Sequence, residues 1–211
     1  MLAIAAIVVV FLILIFSEYL SRSKGVHSEL TRKLVHILVG MFVAFWPFFL
    51  SWRQIQLLSL LFLITVLVSI KLNVFNSIHA VSRNSIGEVL FAVVIGVLAF
   101  ISTNEWVFAA AMLHLSLADG LAAVVGLAYG EHNSYRIMGR VKSLAGSLAF
   151  FFASVAIMFW YVSFSGAGGS AVAMFWLPVI ATVAENLSGE GTDNLVIPLL
   201  VALVLTSSFS V

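Results

Sequence analysis

The stretch Leu115-Ser-Leu-Ala-Asp119-Gly-Leu-Ala-Ala-Val-Val-Gly126-Leu-Ala-Tyr-Gly130 sets one carboxylate inside an apolar run that begins at Glu105. At 1.5 Å per residue, a helix over 105–129 is long enough to cross a hydrocarbon core about 30 Å thick. A charge at that depth costs roughly 2.5–3.5 kcal/mol on insertion scales, so an intramembrane acid faces a wet cavity, pairs with a cation or binds a metal. Asp119 would lie about 15 Å from the end of the helix at Tyr129, and it is the first pointer to function.

The rest of the chain has the same character. Of its 211 residues 63% are hydrophobic and 9% charged, and the mean hydropathy is +1.18, values that exclude an ordinary soluble domain. The expected fold is all-α: a polytopic membrane helix bundle of about eight (seven to nine) transmembrane helices, at 2–20, 34–51, 55–72, 86–102, 105–129, 144–164, 170–187 and 194–211. Residues 1–211 read as a single integral membrane catalytic domain. The first run has no basic start and no clear small-residue cleavage site, and reads as a retained helix, not a signal peptide. With no cysteine there is no disulfide or thiolate site. A net charge of +1 and the lack of a basic, aromatic cluster argue against nucleic acid.

Arg22, Lys24, Arg32, Lys33, Lys71, Arg83, Arg136, Arg140 and Lys142 fall in odd-numbered connections, leaving only Arg53 in an even one. Because cytoplasmic loops are rich in Lys and Arg, this places the odd connections in the cytoplasm and both termini outside. The polar chemistry then gathers at the cytoplasmic face.

Five groups of residues carry it. In Glu29-Leu-Thr-Arg32-Lys33-Leu-Val-His36-Ile-Leu-Val-Gly40, Arg32, His36 and Gly40 recur every four residues and share one helix face. Arg32 and Lys33 are either lipid-headgroup anchors or phosphate ligands, and His36 is either a base or an interhelical hydrogen-bonder. Arg83 and Glu88 open the fourth helix, where an acid is also favoured by the helix dipole. Along the fifth helix Ala122, Ala123, Gly126 and Gly130 follow Asp119 on one face, which is either a tight helix contact or a binding wall. The bland reading of Asp119 itself is a buried ion pair with Arg83 or Lys142. After it, Gly139-Arg140-Val-Lys142-Ser143-Leu-Ala-Gly146-Ser147 places Ser143 as an N-cap beside two cations, an anion site in outline that is neither a Walker loop nor a kinase glycine loop. Finally Glu185, Glu190, Asp193 and Asn194 occupy a loop without a base. It is either an ordinary solvated loop or, with Asp119, a set of oxygen ligands suited to Mg²⁺.

Taken in order, Arg32-Lys33-Leu-Val-His36, Ser82-Arg83 through Gly87-Glu88, Ala118-Asp119-Gly-Leu-Ala122 with Lys142-Ser143-Leu-Ala-Gly146-Ser147, and Glu185-Asn186 through Asp193-Asn194-Leu-Val-Ile-Pro198 resemble the CTP-dependent polyprenol kinases, the phytol and dolichol kinases, which are related to membrane phosphatidate cytidylyltransferases. The resemblance implies transfer of the γ-phosphoryl group of a nucleoside triphosphate, most often CTP, to a membrane isoprenoid alcohol such as phytol, geranylgeraniol or dolichol. It implies Mg²⁺ held by Asp119 with Glu185, Asp193 and Asn194. The phosphates would meet Arg32, Lys33, Arg83, Arg140, Lys142, Ser143 and the glycines 126, 130 and 146, and either Glu88 or His36 would take the alcohol proton. A homodimer is compatible with this reading, though oligomeric state is undetermined. Two other functions stay open. One is cytidylyl transfer to a lipid phosphate, though Arg140-Val-Lys142-Ser143 lacks the Ser-Pro of that signature. The other is a proton-coupled carrier using Asp119, Glu88 and His36, though broken-helix repeats are missing.

Overall fold

The computed structural model of the chain describes residues 1–22, 28–72, 86–169, 171–189 and 191–210. Eight helices lie among them: α1 Leu2–Arg22, α2 Ser28–Ala44, α3 Trp52–Leu72, α4 Gly87–Ile101, α5 Glu105–Tyr129, α6 Leu144–Ser165, α7 Ala171–Leu187 and α8 Asp193–Ser208. A hairpin, β1 Ser134–Ile137 with β2 Arg140–Ser143, joins α5 to α6, and the two-residue strands β3 Gly168–Gly169 and β4 Phe209–Ser210 pair beyond α6 and α8. The all-α class and the helix number agree with the sequence reading. Length and composition support four spans among the described residues, α1, α3, α5 and α6, where about eight were expected. The 15 residues of α4 reach only about 22 Å, short of a 30 Å core.

The second helix is displaced from its expected position at 34–51. It starts at Ser28, so Arg32 and Lys33 are helical, and it stops at Ala44 because Pro47 cannot donate to a helix; a 3₁₀ turn over Trp46–Phe48 follows.

The central element is α5. Asn104 caps it, accepting from the backbone N–H groups of Trp106 at 2.8 Å and Val107 at 3.1 Å. Every residue from Val107 to Ser116 is buried. The other helices pack around it: α2, α6 and α8 touch it, α4 lies between α3 and α8, α7 between α6 and α8, and α1 covers α2 and α3. Phe100, Phe152, Phe159 and Leu203 point outward and are exposed, as side chains facing lipid would be.

Midway along α5 the winding widens to a π turn over His114–Ala118, directly before Asp119. Such turns mark functional sites more often than ordinary helix does. Two buried polar side chains hold it. Ser116 Oγ donates to Met112 O at 2.8 Å, and His114 Nδ1 donates to Ala110 O at 2.8 Å. With the Nδ1 proton committed, Nε2 of His114 accepts from Ser154 Oγ on α6, also at 2.8 Å. Neither His114 nor Ser154 stood out in the sequence.

Candidate active site

Close backbone approach assembles the site. A side chain at Gly40 on α2 would run into Ser116, and one at Gly120 on α5 would run into Ile37. The two helices therefore touch closely on either side of Asp119. Lys33 Nζ donates to Asp119 Oδ2 at 2.9 Å, and His36 Nε2 lies 3.7 Å from the same oxygen. Asp119 is thus ion-paired, as its bland reading had it, but with Lys33 where that reading offered Arg83 or Lys142; Arg83 lies outside the described residues. His36 Nε2 also lies 3.0 Å from Leu115 O. A carbonyl only accepts, so His36 carries a proton on Nε2 and its ring is oriented by α5.

Lys142 is placed by the hairpin, which the sequence reading passed over as a plain connection. Tyr135 pairs with Lys142 across the strands, and the two-residue turn has Met138 at φ 51° and Gly139 at φ 76°. Two successive positive φ angles make the tight reversal whose twist matches a hairpin. The available signal was Gly139 between two short runs carrying Tyr135, Ile137 and Val141. Lys142 Nζ bonds to the Glu185 carboxylate and donates to Glu185 O at 3.2 Å, so it ties β2 to the end of α7. Arg140, on the same strand, lies over Gly189, where any side chain would collide with its guanidinium.

The N-cap reading of Ser143 holds: its Oγ accepts from Gly146 N at 3.1 Å. The small-residue face of α5 is a helix contact in this structure. A Cβ at Gly146 would lie 2.8 Å from Ala122 O, one at Gly130 would lie 2.8 Å from Ser143 Cβ, and one at Gly126 would lie 3.1 Å from Ser143 Oγ. These glycines bring the capped start of α6 against α5, three to eleven residues past Asp119. Beside them Tyr135, Ser147 and Asn186 form a hydrogen-bonded trio, with Tyr135 Oη 2.7 Å from Ser147 Oγ and Ser147 Oγ donating to Asn186 Oδ1 at 3.0 Å. Both Ser147 and Asn186 lay in quoted motifs, but the trio needs the hairpin fold to be visible.

The loop between α7 and α8 docks on the start of α4. Asn194 Nδ2 donates to Gly87 O at 2.7 Å, and Asp193 Oδ1 accepts from Asn194 N at 3.0 Å. Gly191, at φ +86°, packs on the Gly87 backbone. Both the conformation and the contact require glycine. Gly191→Ala is expected to destabilise the protein by about 1–3 kcal/mol, the usual cost of a strained non-glycine backbone, and to loosen Asn194. Thermal unfolding in detergent measures this, and an unchanged midpoint would refute it.

The acids expected to act together are within one another's field. Asp119, Glu185 and Asp193 interact electrostatically among themselves and with Lys142. No three His, Asp or Glu side chains converge as a metal cage among the described residues. Mg²⁺ bound chiefly through substrate phosphates needs only one or two carboxylates, however, and Asp119 with Asp193 or Glu185 fits that requirement. Asn194 donates its Nδ2 to Gly87 O, and its Oδ1 is the atom that could serve as a cation ligand.

Arg32, His36, Glu88 and Asn194 line one cavity, whose remaining walls include Val35 and Phe91. The His36 and Phe91 rings lie 5.0 Å apart. Segments far apart in sequence thus meet at one end of the bundle.

No protein-family model and no solved structure matches the chain. Curated relatives do. The chain is 32% identical over 204 residues to the phytol kinase of Synechocystis sp., covering 91% of this chain and 84% of that one. It is 32% identical over 200 residues to the chloroplastic farnesol kinase of Arabidopsis thaliana, covering 83% of this chain and 64% of the relative. To the probable chloroplastic phytol kinase 2 of Oryza sativa subsp. japonica it is 31% identical over 213 residues, 87% and 67% of the two chains. The chain belongs to the polyprenol kinase family.

Proposed function

We propose that the protein transfers the γ-phosphoryl group of a nucleoside triphosphate, CTP in the first instance, to the hydroxyl of a membrane isoprenoid alcohol of the phytol, geranylgeraniol or farnesol kind. The observation that carries this reading is the cavity lined by Arg32, His36, Glu88 and Asn194, which joins charged groups to apolar walls at one end of a membrane bundle. A prenol needs such a junction, with its hydroxyl among polar groups and its tail in an apolar space. The names of the relatives supply the substrate class.

In this mechanism the alcohol oxygen attacks the γ-phosphorus, its proton passes to the Glu88 carboxylate, and the bond from the γ-phosphorus to the β-bridging oxygen breaks to release the nucleoside diphosphate. Lys33, paired with Asp119, and Lys142, paired with Glu185, neutralise the phosphate oxygens, while the N-terminal end of α6, whose first N–H groups donate to Asn133 and Ser143, adds a fixed positive dipole. His36, oriented through Leu115 O, positions the hydroxyl. Mg²⁺ held by Asp119 with Asp193 or Glu185 would supply charge neutralisation between the β- and γ-phosphates. With all eight helices crossing the membrane, the basic residues in or beside the odd-numbered connections favour a site open to the cytoplasm, with both termini outside.

Purified protein given γ-labelled CTP, Mg²⁺ and a prenol should yield labelled prenyl phosphate and CDP. A CDP-lipid with pyrophosphate, or no lipid product under any nucleotide, overturns the proposal. Glu88→Gln should lower kcat by about 10²–10⁴, the range for loss of a general base, with nucleotide affinity unchanged. A kcat within twofold of the parent would remove Glu88 from the mechanism.

A further inference from the structure

A second, largely apolar cavity adjoins the first. Its walls come from α1, α2 and α3, and it shares Leu14, Val39 and Phe62 with the cavity that holds Arg32, His36 and Glu88. The two are therefore one continuous groove with a charged head and a long apolar body. On α2 the lining residues include Arg32, His36, Val39 and Val43, spaced by four, three and four, so one helix face runs from polar to apolar, and Trp46 of the following 3₁₀ turn lies beyond them. Val39, Val43 and Trp46 are almost fully buried. Thr65, a polar side chain in the body, donates its hydroxyl back to Leu61 O at 2.9 Å and offers the groove its methyl.

Resting on the prenol kinase reading above, we infer that this groove is the seat of the isoprenoid tail and that Trp46 is its floor, setting how much of the tail is recognised. Trp46 ends α2 at the 3₁₀ turn and packs edge-on against Phe42, with ring centroids 6.2 Å apart. From His36 to Trp46 the helix face measures roughly 15 Å. An extended chain advances roughly 1.2 Å per bond, so a four-bond isoprene unit takes about 5 Å and the groove holds about three units. A farnesyl tail fills it, and the tails of longer alcohols continue past Trp46 or out between α1 and α3 into lipid. The occupant is an isoprenoid and not a second protein helix, because the groove is continuous with the phosphoryl-accepting end and only a chain bearing a terminal hydroxyl occupies both parts at once.

The test compares geraniol, farnesol and geranylgeraniol with the full-length protein in nanodiscs. Activity of the parent should rise from two to three units and change little with a fourth. Val43→Phe narrows the body from α2 and Thr65→Phe narrows it from α3, where the side chain is only partly buried and replacement is less disruptive to folding. Each should cut kcat/KM for farnesol about tenfold or more, as apolar pockets do when methylene groups are excluded, while leaving geraniol within about twofold. Trp46→Ala should raise the preference for geranylgeraniol over farnesol. Equal losses for all three alcohols, or no change in either narrowed variant, overturn the assignment. A farnesol analogue with a photoactivatable group at the tail end gives a readout independent of catalysis. Adducts on Leu58, Leu61 or Phe62 support the groove even if no alcohol is phosphorylated, in which case it is the kinase reading that fails. Adducts confined to other helices overturn the groove.

Discussion

Asp119→Asn protein is expected to form prenyl phosphate at least roughly a thousandfold more slowly than the parent, the scale on which single charged groups act in phosphoryl transfer. It should also be less stable. Asp119 is 4% exposed and its Oδ2 holds Lys33 Nζ at 2.9 Å, so asparagine leaves a lysine buried without its counter-charge. Breaking a buried pair by removing one partner costs about 3–5 kcal/mol. Activity loss alone would therefore not separate a chemical role from a folding role. The double variant Lys33→Met with Asp119→Asn removes both charges and should regain much of the thermal midpoint, because the uncompensated charge is gone. It should stay inactive. If the double variant recovers both stability and turnover, Asp119 is a structural residue and the mechanism loses its central acid.

Lys142→Met is expected to have the second largest effect, a drop of about 10³ in kcat/KM, with a cost in stability as well. Lys142 is more exposed than Lys33, its side chain retaining 21% of its accessible surface against 13%, but its partner Glu185 is buried, its side chain retaining 6%. Methionine therefore leaves a buried acid without its counter-charge. Lys142→Arg should not restore activity, since the planar guanidinium cannot reproduce a point charge on a flexible stem, whereas a purely structural tie to Glu185 would tolerate it. Steady-state kinetics on Met and Arg variants decide this: wild-type rates in the Arg variant, or a loss in the Met variant of less than tenfold, would make Lys142 a brace.

The residues of the site were largely visible in the sequence because charge is expensive in an apolar chain. Asp119, Lys142, Glu185 and Asp193 stood out against their surroundings, and the structure brings them within one electrostatic cluster. What the sequence withheld was partnership. Lys33 and Lys142 are equivalent as isolated cations, and only the close contact of α2 with α5 at Gly40 and Gly120 assigns Lys33 to Asp119. Hydropathy located the helices well but set α2 at 34–51 instead of 28–44, because aromatic residues around Pro47 read as apolar while the backbone there cannot continue as a helix. The β-hairpin escaped for a different reason. Each of its strands is four residues long and half exposed, too short for alternation to declare itself, yet its register delivers both Arg140 and Lys142.

The π turn at His114–Ala118 has a consequence for how α5 is phased. Each residue of an α-helix turns the next side chain by about 100°, and a π turn accommodates one residue beyond the regular count. Upstream of the turn α5 fits its neighbours on the pattern of Val107 to Leu113; downstream the pattern is rotated, and Asp119 meets Lys33 only on that rotated face. The carboxylate's direction is thus stored in a backbone count and not in any side chain. Loss of a single residue within the turn would keep every charged group of the site in the chain and still swing Asp119 about a quarter-turn away from α2.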